Sequence, residues 1–145
     1  MGSDEDTIFA LTTAPGRAAV AVIRISGPDA RAVDDVFGFA IPKARWAGLR
    51  TLRHNGVNID QTLVLFFKAP SSYTGEDLVE LQIHGGKAVY DSVVSVLATQ
   101  PGFRFADPGE FSRRAVLNGR LDLTEAEAVN DLVNAETEAQ RVFAL

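Results

Sequence analysis

The sequence has no cysteine, which excludes a disulfide framework, a cysteine-ligated zinc and a thiol nucleophile. Its two histidines, His54 and His84, are too few to suggest a metal site, and none is expected. No stretch approaches the length of a membrane-spanning helix. The acidic start Met1-Gly-Ser-Asp-Glu-Asp6 lacks the basic region and apolar run of a signal peptide. Together these absences point to the reducing cytoplasm, with no membrane association. There is no Gly-x-x-x-x-Gly-Lys-[Ser/Thr] loop, so phosphate-loop nucleotide binding is not expected of these residues. Cations are in the minority, 14 against 19 acids for a net charge of −5. That balance argues against a main nucleic-acid surface, although a local basic patch remains compatible with it.

What is present suits one soluble globular domain: 145 residues, 46% hydrophobic and 23% charged. Ile8 to Thr12 and Ala19 to Ile25 read as strands around a Pro15-Gly16 turn. Gly27-Pro28 opens a helix with Ala30, Val33, Val36 and Phe37 at helical spacing. Ala40 to Gly48 reads as loop. Arg50 to His54 and Thr62 to Phe67 form a hairpin around Asn55-Gly56 and Asn58-Ile-Asp60. Ala69 to Gly75 is a second loop, and Asp77 to His84 a strand. Lys87 to Ala98 reads as a helix, although its valines leave a strand open. Phe103 to Ala106 is a short strand. Hairpins mixed with crossovers make the class α+β, a mixed sheet with packed helices.

The most informative stretch is residues 108–128. Asp107 is placed to N-cap a helix, with Pro108 at its first position and Glu110 at its third. Asn118-Gly119 stops that helix, because both residues tolerate the left-handed conformation. Thr124 then caps a second helix, with Glu127 three residues on. Arg120 lies on the turn between them, near Arg113, Arg114 and Asp122 in sequence. A rigid turn holding a cation suits capture of an anion. The last helix, from about Glu125, has no stop signal before Leu145, which reads either as fraying or as the start of a further helical domain.

The run Pro108-Gly-Glu-Phe, Arg114-Ala, Leu117-Asn-Gly-Arg-Leu-Asp-Leu123 and Ala126-Glu-Ala128 resembles the N-terminal domain of the MnmE (TrmE) family of tRNA-modification GTPases. Asp6-Thr-Ile, Thr13-Ala-Pro-Gly-Arg17 and Val22 to Gly27 agree with it, as do Ser72 to Asp77 and Glu80 to Gly86. The matches run in order from about Asp6 to Val133. The resemblance implies a folate-binding and dimerisation domain over 1–120, like that of the glycine-cleavage T protein. It also implies that 121–145 begins a helical domain carrying an inserted GTPase domain. The ligand here would be 5-formyltetrahydrofolate or a related 5-substituted tetrahydrofolate. GTP, Mg2+ and K+ would belong to the GTPase domain. A homodimer would act with a flavoprotein of the MnmG (GidA) type on the wobble uridine of tRNA, the tRNA binding through the full-length complex.

Three residues match the family's folate contacts. Arg24 ends a strand that is apolar on both faces, so its guanidinium needs a partner, either a ligand or a core carboxylate. Glu80 lies in the polar row Glu80, Gln82, His84 opposite Val79, Leu81 and Ile83. The row reads either as a solvated face or as the carboxylate that accepts the paired N–H donors of a pterin. Arg120 reads as surface charge or as a clamp on an anionic tail. The family's usual lysine is replaced here by arginine, which adds bidentate geometry. Tyr73, Thr74, Gly75, His84, Gly85 and Gly86 lie in family motifs as pocket lining, with Tyr73 able to stack on a pterin or simply to pack its loop. No catalytic residue is assigned. Two other readings stay open: a dimerisation or docking module that binds no small molecule, and a stand-alone folate-dependent aminomethyltransferase.

Overall fold

A computed structural model describes residues 3–12, 20–84, 86–122 and 124–125. Its strands are β1 (Thr7–Leu11), β2 (Ala21–Ser26), β3 (Ala47–His54), β4 (Val57–Phe67), β5 (Leu78–Ile83) and β6 (Phe103–Phe105). They form one sheet in the order β3-β4-β5-β2-β1-β6. Only β1 and β6 run parallel; the other neighbours are antiparallel. The helices are α1 (Val33–Phe37), α2 (Gly86–Ala98) and α3 (Glu110–Leu117). A mixed sheet with packed helices is the α+β class read from the sequence.

Alternation along the strands makes two faces. Phe9, Leu11, Ile23, Ile25, Val64, Phe66, Val79, Leu81 and Ile83 point to one side. There they meet Val33 and Phe37 of α1 and Tyr90, Val93, Val94 and Leu97 of α2. The spacing of those four α2 residues is helical, which is why the valine-rich segment is a helix. Each such side chain stabilises the fold by roughly 1.5–3 kcal/mol before entropy is counted. On the opposite face a smaller cluster of Ile8, Ala10 and Phe111, with Tyr73 and Ala106, is covered by α3 and the loop before β5. Leu63, Leu65 and Phe67 of β4 are only partly buried on that face.

Several local readings change. The helix expected from Gly27-Pro28 starts later, as a 3-10 turn at Ala30–Ala32 leading into α1. Gly27 is committed elsewhere: it has φ 145, and a Cβ there would lie 2.6 Å from Thr7 Cα. The hairpin turn at Asn55-Gly56 holds, both residues having positive φ, 52 and 77. Asn58 to Asp60, however, is strand. Leu52 faces Asp60 and Arg53 faces Asn58, so Ile59 is the extra residue of a bulge.

At α3 the capping box is half formed. The Glu110 carboxylate accepts the Asp107 N–H at 2.9 Å, but left-handed Gly109 is the N-cap, without a side-chain cap. Gly119 and Arg120 donate to the carbonyls of Val116 and Ala115, a Schellman stop as expected. The next cap is not Thr124, which is already helical. Asp122 and Glu125 cap each other instead, at 2.7 and 3.1 Å. The Pro15-Gly16 turn, Glu127 and the helix expected to run to Leu145 lie outside the described residues.

Candidate ligand site

The arginines of the 108–128 stretch are largely consumed by structure. Glu110 is buried, and its carboxylate accepts from Arg104 Nη1 and Nη2 at 2.7 and 2.6 Å. It also accepts from Arg113 Nη2 at 3.3 Å and Arg114 Nη2 at 3.2 Å. Burial pushes the Glu110 carboxyl up, but these bonds, Arg104's first, hold it below the usual carboxylate range. Arg114 is 1% exposed and also binds both oxygens of Glu76, at 3.1 and 3.0 Å. Arg113 pairs with Asp4 at 2.7 Å. Arg104 reaches Asp6 at 2.9 Å, and its hydrogen bond lowers the Asp6 carboxyl. The network fastens residues 3–6 and the loop before β5 onto α3. Arg113 and Arg114, near Arg120 in sequence, are thus neutralised by carboxylates and do not lend it a positive field.

The site lies where the covered and open parts of the second sheet face meet. Arg24 of β2 and Glu80 of β5 stand directly opposite each other in register. Arg24 Nε and Nη2 both donate to Glu80 Oε2 at 3.3 Å. The two side chains are 20% and 21% exposed, neither core nor fully solvated. Leu65 flanks Glu80 and Ala10 flanks Arg24 in the same cross-sheet row. The guanidinium is held between two rings, 5.1 Å from the centroid of Tyr73 and 5.4 Å from that of Phe111. Tyr73 is fixed in turn by a 3.0 Å hydrogen bond between its hydroxyl and that of Ser112. Arg24 therefore has a carboxylate partner, though a part-exposed one rather than a core one, and that partner is the second predicted site residue.

Arg120 reaches the same loop from the other end of α3. Its Nε donates to the Ser72 carbonyl at 3.0 Å, and Asn118 Nδ2 donates to the Thr74 carbonyl at 2.8 Å. Gly75 is glycine for a packing reason: φ is 82, and a Cβ would lie 2.7 Å from Asn118 Cβ and 3.3 Å from Arg120 Cγ. Thr74 is fully buried, with its hydroxyl 2.7 Å from that of Ser26. Its side chain faces the interior.

The far end of β5 is separate. His84 is four residues beyond Glu80, about 13 Å along the strand. Its Nδ1 lies 2.8 Å from the Gln61 carbonyl, and its N–H donates to Asp60 at 2.9 Å. Gly86, at φ 69, opens α2 with nothing within 4 Å of a notional Cβ. Gly85 lies outside the described residues. The structure thus joins Arg24, Glu80 and Tyr73 directly, ties Arg120 to Tyr73's loop, and leaves His84 and Gly86 apart.

Residues 7–120 match the family model described as "GTP-binding protein TrmE N-terminus". The chain belongs to this TrmE N-terminal family. It is 54% identical over 140 residues to a tRNA modification GTPase MnmE of Caulobacter vibrioides, covering 97% of this chain and 31% of that protein. It is 54% identical over 145 residues to the protein of that name in Methylobacterium radiotolerans, covering 99% and 33%. For Brucella canis the figures are 53% over 146 residues, 100% and 33%. The chain spans about a third of the length of these relatives.

Within this TrmE-family fold, Phe111 and Ser112 are the site residues that the sequence reading passed over. Phe111 lay inside the Pro-Gly-Glu-Phe motif, but nothing local says which strand a helical phenylalanine will face. No helix among the described residues is long and apolar enough to cross a membrane.

Proposed function

We propose that this domain binds a 5-substituted tetrahydrofolate, such as 5-formyltetrahydrofolate, on the open sheet face at Arg24 and Glu80. One observation carries the reading. A half-buried ion pair sits between two aromatic rings on a partly apolar face, with Glu80 Oε1 bonded to nothing among the described residues. That oxygen is a ready acceptor for a pterin N–H, while Arg24, itself held between the two rings, keeps Oε2 in place. Among the described residues Arg120 spends only Nε, on the Ser72 carbonyl, so its terminal nitrogens suit the carboxylate tail of the ligand. The residues present fit the group. When bound, the folate supplies a one-carbon unit; the chain's own residues bind and orient it.

In the whole protein, we infer, this domain dimerises and serves a cytoplasmic GTPase that modifies the wobble uridine of tRNA with an MnmG-type flavoprotein. GTP, Mg2+ and K+ belong to a separate GTPase domain. The family membership and the names of the relatives support this reading. The likeness to the glycine-cleavage T protein belongs to the same proposal.

The test is calorimetric titration of 5-formyltetrahydrofolate into wild type and Glu80→Gln. The amide turns one acceptor into a donor facing a donor. The expected loss is about 1.5–3 kcal/mol of binding, with little change in melting temperature. Equal affinity in the two proteins refutes the assignment of Glu80.

A further inference from the structure

The charge of this chain is unevenly spread. Residues 36–59 hold Lys43, Arg45, Arg50 and Arg53 and no acid, which leaves the rest of the chain, ten cations against nineteen acids, at −9. The fold gathers the excess on one edge of the sheet. β3 is an edge strand, and the loop before it folds along the end of β4. The Arg45 N–H donates to the Phe66 carbonyl at 2.7 Å. Arg31 Cζ lies 5.6 Å from the centroid of the Phe66 ring, and Lys68 follows β4 directly. Arg50 Nε donates to the Ala40 carbonyl at 2.7 Å. Its guanidinium and the Pro42 ring both close on Gly48, 2.8 and 2.9 Å from where a Cβ would be.

None of Arg31, Lys43, Arg45, Arg50, Arg53 and Lys68 makes an ion pair among the described residues. Arg24, Lys87, Arg104, Arg113 and Arg114 all do. The nearest acids in sequence are Asp29, Asp34 and Asp35 beside Arg31 and Asp60 between Arg53 and Lys68; Asp60 accepts from the Thr62 hydroxyl and the His84 N–H. Asp34 accepts the Asp35 N–H, and Asp35 shares a cleft with Arg53.

Beside these cations stands Trp46, 64% exposed, with Lys43 Nζ 5.5 Å from its ring centroid. Edge strands are commonly guarded by charge. That accounts for the arginines, but not for a large exposed indole among them, nor for Leu49, 59% exposed on β3. Unpaired cations beside an open aromatic ring are what a polyanion with stackable bases requires. We propose that this edge binds RNA, with the cations on phosphates and Trp46 stacked on an unpaired base. An acidic protein segment is the competing occupant. Protein interfaces are depleted of charge at their centre, whereas here Lys43 lies over the ring and Arg45 directly precedes it in sequence. This inference is independent of the folate reading, because it uses the opposite end of the strand order from α3 and none of the folate-site residues.

The experiment titrates a fluorescent RNA stem-loop with an unpaired loop, and separately a polyglutamate peptide, with full-length protein over a range of salt. Melting curves monitor folding. Lys43→Glu/Arg45→Glu is expected to lose more than about tenfold in RNA affinity and to flatten the dependence of log K on log salt by at least about one unit, since each phosphate contact contributes roughly 0.7–0.9. Trp46→Ala is expected to lose roughly tenfold with the salt slope retained. Lys43→Gln/Arg45→Asn is the second variant should charge reversal disturb folding, as Asn tolerates the φ of 70 at position 45. RNA affinity unchanged in folded variants overturns the proposal. So does a wild type that binds polyglutamate but not RNA, or that binds neither.

Discussion

Glu110→Gln is the perturbation that best separates scaffold from site. The Glu110 carboxylate accepts five hydrogen bonds, four of them from the guanidinium groups of Arg104, Arg113 and Arg114 and one from the Asp107 N–H. The amide keeps one oxygen but turns an NH2 toward several N–H donors, and it leaves the buried Arg114 with Glu76 as its one carboxylate among the described residues, beside the Ser3 carbonyl. Breaking a buried pair in this way costs about 3–5 kcal/mol. That is a large share of the roughly 5–15 kcal/mol that holds a domain of this size. At roughly 2–4 °C per kcal/mol the melting temperature falls by about 6–20 °C. The control is Asp4→Asn, whose pair with Arg113 is largely exposed and is expected to contribute under about 1 kcal/mol.

The pH dependence has a definite sign. The folded carboxyl of Glu110 is held below its ordinary value, so its contribution is complete above the unfolded range near 4.3 and is lost as pH falls through the folded value. Melts of wild type and Glu110→Gln should therefore converge in acid and separate toward neutrality. A loss below about 1 kcal/mol, or a gap that ignores pH, refutes the reasoning. Because α3 carries Phe111 and Ser112, the variant should also weaken folate binding where α3 loosens, but not at low temperature, where the domain stays folded.

Phe111→Leu keeps the apolar volume but removes one of the two rings around Arg24; folate affinity measured by calorimetry should fall by about 0.5–2 kcal/mol, and a wild-type value would show that the ring does not position Arg24. Gly75→Ala forces a Cβ against Asn118 at a left-handed φ, so thermal melts should show more than about 1 kcal/mol of destabilisation. Arg120→Lys should bind folate almost as wild type, since it retains the charge, while Arg120→Ala should lose affinity; equal binding by both would remove Arg120 from the site.

Alternation in β2 and β5, the helical spacing of Tyr90, Val93, Val94 and Leu97, and the Asn118-Gly119 stop were all legible locally. Each depends on a period or a backbone preference that a few neighbouring residues set. The chemistry of Arg24 and Glu80 was legible too, as a cation and a carboxylate that had to find partners. What they find is decided by register: β2 and β5 are separated by 51 residues of chain from Ser26 to Leu78, and only their pairing sets Arg24 opposite Glu80. The same holds for the arginines of the 108–128 stretch. Sequence proximity suggested one cluster of positive charge, but α3 turns Arg113 and Arg114 toward Asp4, Glu76 and Glu110 and leaves Arg120 at its end. Local sequence determined which residues carry charge and where most of the helices and strands lie, though not their ends. Tertiary packing alone decided which charges are neutralised, because Coulomb and hydrogen-bond partners are chosen by distance in space and not along the chain.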